Sequence, residues 1–352
     1  MGVAAPMTRT RRRTVAQQLA ARDNVYDTLT APFTERTGLG WHVPTPADAA
    51  RDHAVSVVIP ARNAAHGLPT VLDALAGQKT AAAVQVIVID DASDDNTGYL
   101  AARHPATHNV VRLAQRVGSG AARNAGTLLA RADTVLYLDA DMVLPDHVLA
   151  DFAARAHPDL VLVGFRHNVS HQEDADGTPV MPPGEPVLEA DHRVVWRPPV
   201  GVPLFYTGLV LDEPVDGRPL AHTDEFRLLG HAGRYHDWDL PRMVVTALAA
   251  MPRQRVVQVG GFDPAFAAFW GCEDTYLGAL LIATGAKVVP LRQARGFHLD
   301  PPDAEQAWQT KLATSAGNIA RYWTLLDQPI PGPGSSHLPG ASRLLAEGIR
   351  LK

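Results

Sequence analysis

The sequence predicts an α/β protein: a mixed, mainly parallel, Rossmann-like sheet with helices on both faces, fused to a second, less regular half. Three observations carry this. Residues 55–59, 84–89 and 135–138 are continuous apolar runs of strand length, the pattern of strands covered on both faces. Helical spacing lies between the first two, at Leu68, Val71, Leu72 and Leu75, so strand and helix alternate. Each run also stops at a polar cluster: Arg62 and Asn63, Asp90 and Asp91, then Asp139 and Asp141. Open α/β sheets bind ligands outside the carboxyl ends of their strands, so these three clusters mark one face as a site.

Taken in order, residues 1–53 read as an arm and linker, with a helix over 14–28 and punctuation at Pro44 and Pro46. Residues 54–155 form the nucleotide-binding half. After the first two strands come a short strand near 110–113 and Gly118-Ser119-Gly120, which opens a helix reaching Ala130. The run 135–138 then ends at Asp139-Ala140-Asp141. Two carboxylates one residue apart at a strand tip offer hard oxygen donors suited to Mg²⁺ or Mn²⁺ shared with phosphates. Asp94 and Asp95 read as helix caps.

Residues 156–300 form the other half. Seven prolines fall within 170–203, a long irregular stretch of the kind that serves a site. Residues 212–241 are irregular too and carry His222, His231 and His236. The next informative stretch runs from Gly260-Gly261-Phe262-Asp263 to Trp270-Gly271-Cys272-Glu273-Asp274. A helix over 275–284, closed by Gly285, follows it, then an edge strand over 287–291 and His298. Residues 301–352 form a helical tail: a helix containing Trp308, Leu312, Ile319, Tyr322 and Trp323, a linker over 329–340, and a short amphipathic helix over 342–351. That last helix is expected to pack on a partner or on a second copy of the chain.

Composition excludes several classes. The 352 residues carry a net charge of −5 and no basic stripe, against nucleic-acid binding; Arg9, Arg11, Arg12 and Arg13 form one local cluster. No apolar run is long enough to span a membrane, and no apolar segment follows the arginines to make an export signal. Cys272 is the only cysteine, which fits a reducing cytoplasm. The turn after the first strand lacks the glycines of a dinucleotide fold, Gly118-Ser119-Gly120 lacks the third glycine, and no Walker A sequence occurs.

Four separated motifs, VSVVIPARNA, VIVIDDASDDNT, GAARNAGTLLARAD and VLYLDADMVLP, together resemble the nucleotide-binding half of family-2 glycosyltransferases with the GT-A fold, over roughly residues 54–155. The resemblance implies that Pro60 and Arg62 line the nucleoside pocket and that Asp91 accepts from the N3–H of a uracil-like base. It puts Arg123 beside the base or diphosphate, and gives Asp139 and Asp141 to ribose and metal. The stretch G-G-F-D followed by W-G-x-E-D resembles the acceptor region of inverting galactosyl- and N-acetylgalactosaminyltransferases. That implies Asp274 as catalytic base, Glu273 as an acceptor contact, and Trp270 as a face for a sugar or the donor. His298 would complete the shell of a divalent metal, Mn²⁺ suiting an imidazole somewhat better than Mg²⁺.

The function expected is therefore inverting, metal-dependent transfer of a sugar from a UDP-sugar donor to a small-molecule or peptide acceptor, with natural-product biosynthesis a fitting setting. Other readings are a non-catalytic nucleotide-sugar or glycan-binding subunit, or a sugar nucleotidyltransferase, which would need a glycine-rich phosphate loop after the first strand. A glycoside hydrolase is disfavoured, because the adjacent Glu273 and Asp274 cannot flank a bond from both sides.

Overall fold

The computed structural model describes residues 13–49, 53–191, 193–194, 240–332 and 336–352. The expectations for His222, His231 and His236, and for all of 195–239, lie outside the described residues.

Two helices precede the sheet, α1 (Val15–Ala20) and α2 (Asp27–Thr37), in place of the single helix expected over 14–28. Thr14 starts α1 with a capping box shared with Gln17, and Gly38 ends α2 in the left-handed region. The arm is tied to the main body by a buried network. Asp151 accepts from the backbone N–H and hydroxyl of Thr45, and Arg155 donates to Thr45 and to the carbonyls of Gly40 and Val43.

The first half then follows the expected alternation: β1 (Ala54–Ala61), α3 (Leu68–Ala76), β2 (Ala83–Asp90), α4 (Thr97–Arg103), β3 (Asn109–Arg112), α5 (Ser119–Leu129) and β4 (Thr134–Leu138). These strands run parallel in the order β4-β1-β2-β3. Their side chains feed two apolar clusters, with Val58, Ile87 and Tyr137 in one and Val57, Val88 and Leu136 in the other. That is why the runs do not alternate. Helix α5 lies very close to β1. A Cβ at Gly126 would collide with Val58, so glycine is required there.

The rest of the sheet is mixed. After β5 (Met142–Val143) and α6 (Val148–Arg155) come β6 (Leu160–Val169), α7 (Leu240–Met243), β7 (Leu248–Pro252), α8 (Arg253–Gln258), α9 (Glu273–Ala283) and β8 (Lys287–Leu299). Strand β7 is inserted antiparallel between β4 and β6, and β8 pairs parallel with β6. Residues 287–291 pair on one side only, as an edge, while the far end of β8 also pairs with β5. The expected halves, 54–155 and 156–300, thus share one nine-stranded sheet. This architecture is the mixed, mainly parallel α/β sheet that the sequence predicts.

The tail begins with α10 (Ala304–Leu326) and α11 (Leu338–Glu347) and ends differently from expectation. Residues 349–350 form β9, antiparallel to β3, where a helix over 342–351 was predicted. Gly348 leaves helical geometry and directs the chain to the sheet edge. Leu338 and Ala341 of α11 are buried within this chain.

Candidate functional site

The strand ends converge as the sequence implies. At the end of β1, Arg62 donates to the carbonyls of Asp91 and Ala92 and to the Asp94 carboxylate (2.9 Å). Asp94 therefore anchors Arg62 and caps no helix. Asp95 does serve the start of α4, accepting from the backbone N–H of Thr97, and also holds Ala65. At the end of β2, the buried Asp91 accepts from the N–H groups of Val117 and Gly118 at 2.7 and 2.8 Å, fixing the turn into α5. Gly118 adopts φ +90, and a Cβ there would strike Ala267. The Gly118-Ser119-Gly120 run thus serves a close approach of two loops.

The tip of β4 gathers three candidate ligands. Strand β5 lies antiparallel to the end of β8, setting Met142 opposite His298, and Leu299 N donates to the Asp141 carbonyl (2.8 Å). One ligand atom from each of Asp139, Asp141 and His298 falls within 4.8 Å of the others. His298 Nε2 faces Asp141 Oδ1 at 3.4 Å, yet that oxygen, though buried, makes no hydrogen bond. Oxygen and nitrogen ligands at about 2.1 Å from an octahedral ion sit about 3 Å apart, so this donor set fits a divalent cation.

Arg123 is buried. Its Nη2 donates to Asp139 Oδ1 (2.7 Å), while Nη1 lies 3.5 Å from Glu273 Oε1. Burial opposes its charge, but Asp139, Glu273 and Asp274 outweigh that and raise its pKa. Burial likewise pushes the Asp139 carboxyl up, and Arg123 and His298 more than reverse this, holding it below the usual carboxylate range. Asn124, next in the same motif, clamps both N–H and C=O of Phe262 at 2.8 Å. Two stretches 138 residues apart are thereby locked together.

Glu273 and Asp274 open α9. Cys272 before them has φ +70, unusual without glycine, and Ala92 at the end of β2 has φ +53. Such strain gathers where the surrounding structure must aim a functional group. Glu273 accepts from Ser119 Oγ (3.0 Å) and faces Arg123, so it belongs with the strand ends. Asp274 accepts from Thr246 N and Thr275 N. The neighbouring Ala247 carbonyl accepts from Asp139 N (3.1 Å), so one dipeptide holds both the strand tip and the helix start. Burial first, and the Glu273 charge second, push the Asp274 carboxyl up to about 6. Burial also pushes the Cys272 thiol far up, which leaves it inert as a nucleophile.

A cavity of about 670 Å³ opens over the ends of β1 and β2. Pro60, Arg62, Asp91, Trp270 and Glu273 line it, together with Arg116, Ser119 and, from α10, Gln306, Thr310 and Lys311. A second cavity of about 490 Å³ lies at the ends of β6 and β8, with Ser170, His171, Asp300 and Gln309 on its wall. Of the expected site residues, Pro60, Arg62, Asp91, Trp270 and Glu273 share the first cavity. Asp139, Asp141 and His298 form the neighbouring cluster, and Arg123 joins the two. Sequence reasoning missed Ser119, which lies in the Gly118-Ser119-Gly120 run set aside as a dinucleotide signal, and Arg116 and Lys311, which stand in no unusual sequence pattern.

Residues 56–190 match the sequence model of glycosyl transferase family 2. This chain carries a family-2 glycosyltransferase domain. A validoxylamine A glucosyltransferase of Streptomyces hygroscopicus subsp. jinggangensis is 28% identical to this chain over 306 residues, 79% of its length. The chain spans 65% of that relative's length. An uncharacterized glycosyltransferase of Mycobacterium bovis is 40% identical over 88 residues, 25% of this chain and 37% of the relative. Among solved structures, a mannosyltransferase from Pyrobaculum calidifontis, in complex with GDP-Man and Mn²⁺, aligns over 94% of this chain and 86% of its own at 18% identity, with a TM-score of 0.49. Among the described residues, no helix is long and apolar enough to cross a membrane.

Proposed function

We propose that the chain is an inverting, metal-dependent glycosyltransferase that moves a sugar from a nucleoside diphosphate, UDP in our reading, to a soluble acceptor in the cytoplasm. One observation carries this above the rest: a single buried guanidinium, Arg123, joins the strand-tip acid Asp139 to the helix-start acid Glu273, with Asp274 beside it. Metal-ligating and base chemistry are thereby assembled at one point.

In this reading the nucleoside occupies the larger cavity, against Pro60 and Arg62, with Asp91 toward the base. Both Asp91 oxygens already accept a backbone N–H, yet each keeps a second lone pair for a base imide. A divalent ion held by Asp139, Asp141 and His298 would supply charge to offset the departing diphosphate. The pair of unpartnered buried atoms, Asp141 Oδ1 and His298 Nδ1, supports a demand for something beyond protein at that point.

Asp274 then takes the proton from the acceptor nucleophile as that atom attacks the anomeric carbon. The new bond forms on the face opposite the breaking C–O bond, whose electron pair leaves with the nucleoside diphosphate. A carboxyl raised to about 6 is still ionised at neutral pH and is a stronger base than an exposed aspartate. Trp270 offers a ring to donor or acceptor sugar. The cavity at Ser170, His171 and Asp300 is read as the acceptor side, and the relative named for validoxylamine A makes a natural-product acceptor a fitting class. A purely binding subunit would have no use for a raised base next to an unsatisfied ligand set.

The test is calorimetric titration of UDP with and without Mn²⁺, on the wild type and Asp141→Ala. Mn²⁺-dependent binding lost in the variant is the expected result. Binding indifferent to metal would remove Asp141 and His298 from the donor site, and no UDP binding would remove the donor reading itself.

A further inference from the structure

Helix α10 is two helices in function. Its C-terminal half is pinned to the loop before α9. Asn318 donates to the carbonyls of Phe266 and Gly271, Arg321 pairs with Asp263, and a Cβ at Gly317 would run into the Phe269 ring. Tyr322 and Leu326 are buried beyond it. The N-terminal half behaves differently. Asp303, just before the helix, and Gln306, Ala307, Thr310, Lys311 and Thr314 all face the larger cavity. Their spacing of three, four, seven, eight and eleven residues is one helix face. A helix turned toward its own protein ordinarily presents an apolar stripe. This one presents polar side chains to a cavity, which suits a polar ligand beneath it.

The charges of that cavity sharpen the inference. Each lining acid but one is already answered: Asp91 by two backbone N–H groups, Asp263 by Arg321, Glu273 by Arg123 and Ser119. Arg62 is held by Asp94 and two carbonyls. Of the other lining cations, Arg116 is exposed, and Lys311 has, among the described residues, no carboxylate within ion-pair distance; its ammonium rests over the Trp270 ring, 5.7 Å from the centroid. A cation on an aromatic face exposed to water is held only weakly, and an anion beneath it readily outbids that contact.

We infer that Lys311 is a donor-binding residue: it leaves the Trp270 ring to contact the phosphates of a nucleoside diphosphate bound under α10. This rests on the donor-site reading above. The compact ammonium on a flexible stem suits a phosphate contact that forms only when ligand is present. Its contribution would fall on the phosphates and leave the nucleoside untouched.

The experiment measures affinities of UDP and uridine, each with Mn²⁺, for the wild type, Lys311→Ala and Lys311→Arg. The expected result is an about tenfold or greater loss for UDP in Lys311→Ala, as for a hydrogen bond to a charged group, with recovery in Lys311→Arg and uridine unchanged throughout. Equal losses for UDP and uridine would overturn the inference in favour of a structural pin between α10 and Trp270. An unchanged UDP affinity in Lys311→Ala would overturn it while leaving the donor site intact. Failure of the wild type to bind UDP would bring down the donor reading and this inference together.

Discussion

The tip of β4 and the start of α9 each present acidic side chains at one small centre, and the fold treats them in opposite ways. Asp139 touches Arg123 directly and has His298 nearby, so its charge is stabilised in spite of burial. Asp274 has only two backbone N–H groups and a more distant guanidinium, and it has Glu273 as a like-charged neighbour. The same functional group is therefore held as a permanent anion at one place and poised to take a proton at the other. In the proposed reading, what distinguishes the ligand from the base is which acid the buried Arg123 guanidinium touches.

The largest test of this contrast is Asp274→Asn. It should lower kcat by about 10³-fold or more while leaving UDP affinity near the wild-type value, measured by initial rates and calorimetry. Preserved turnover would end the distinction. Next, Asp141→Ala should cost about 10²-fold in Mn²⁺-supported kcat/KM, and excess Mn²⁺ should not restore it fully; a rate insensitive to the substitution or to EDTA would make the strand tip structural.

The pH profile sharpens the same contrast. A base with a pKa of about 6 must be deprotonated to act, so kcat/KM should fall about tenfold per unit below pH 6 and level off above it. A limb near pH 4 would mean that Asp274 is an ordinary exposed carboxylate. The smallest effects are on stability, by urea unfolding at pH 8 in EDTA. A carboxyl raised by folding carries a penalty that exists above its folded pKa and fades as pH falls through about 6. Asp274→Asn should thus stabilise the protein, on the order of 1 kcal/mol. Asp139, lowered by folding, contributes stability above its unfolded value of 3.8 that disappears as pH falls through its folded pKa. Asp139→Asn should destabilise the protein. Shifts of the same sign in both variants would refute the contrast.

The first half of the fold was legible because its physics is local. Apolar runs such as 84–89 and 135–138 bury both faces, and the acids that stop them need solvent or a ligand. The arrangement around β7 was less so: residues 248–252 read as Leu-Ala-Ala-Met-Pro, weak strand formers, and only pairing on both sides makes them a strand. The tail misled for a related reason. Residues 342–351 have helical spacing to the end, and the free edge of β3 captures the last turn. At the candidate site, residue types marked the acids and the histidine that come together, but partnerships were not legible. Nothing local says that Arg123 faces Asp139 and Glu273, or that Asn124 holds Phe262, since both depend on how α5 docks against a loop far along the chain. Lys311 lies on a helix whose sequence shows a mixed polar face, and only the cavity beneath gives it meaning.

The insertion of β7 between β4 and β6 has a consequence for anyone recombining such enzymes. The two halves look like separable blocks along the sequence, yet β8, β6 and β7 of the second sit together between β5 and β4 of the first, and both edges of the splice fall inside hydrogen-bonded ladders. A chimera that exchanged residues 156–300 would have to rebuild the ladder between 134–138 and 248–252, which sets the spacing of the strand-tip acids from Asp274. Specificity in this scaffold is better altered residue by residue along the cavity walls than by trading halves.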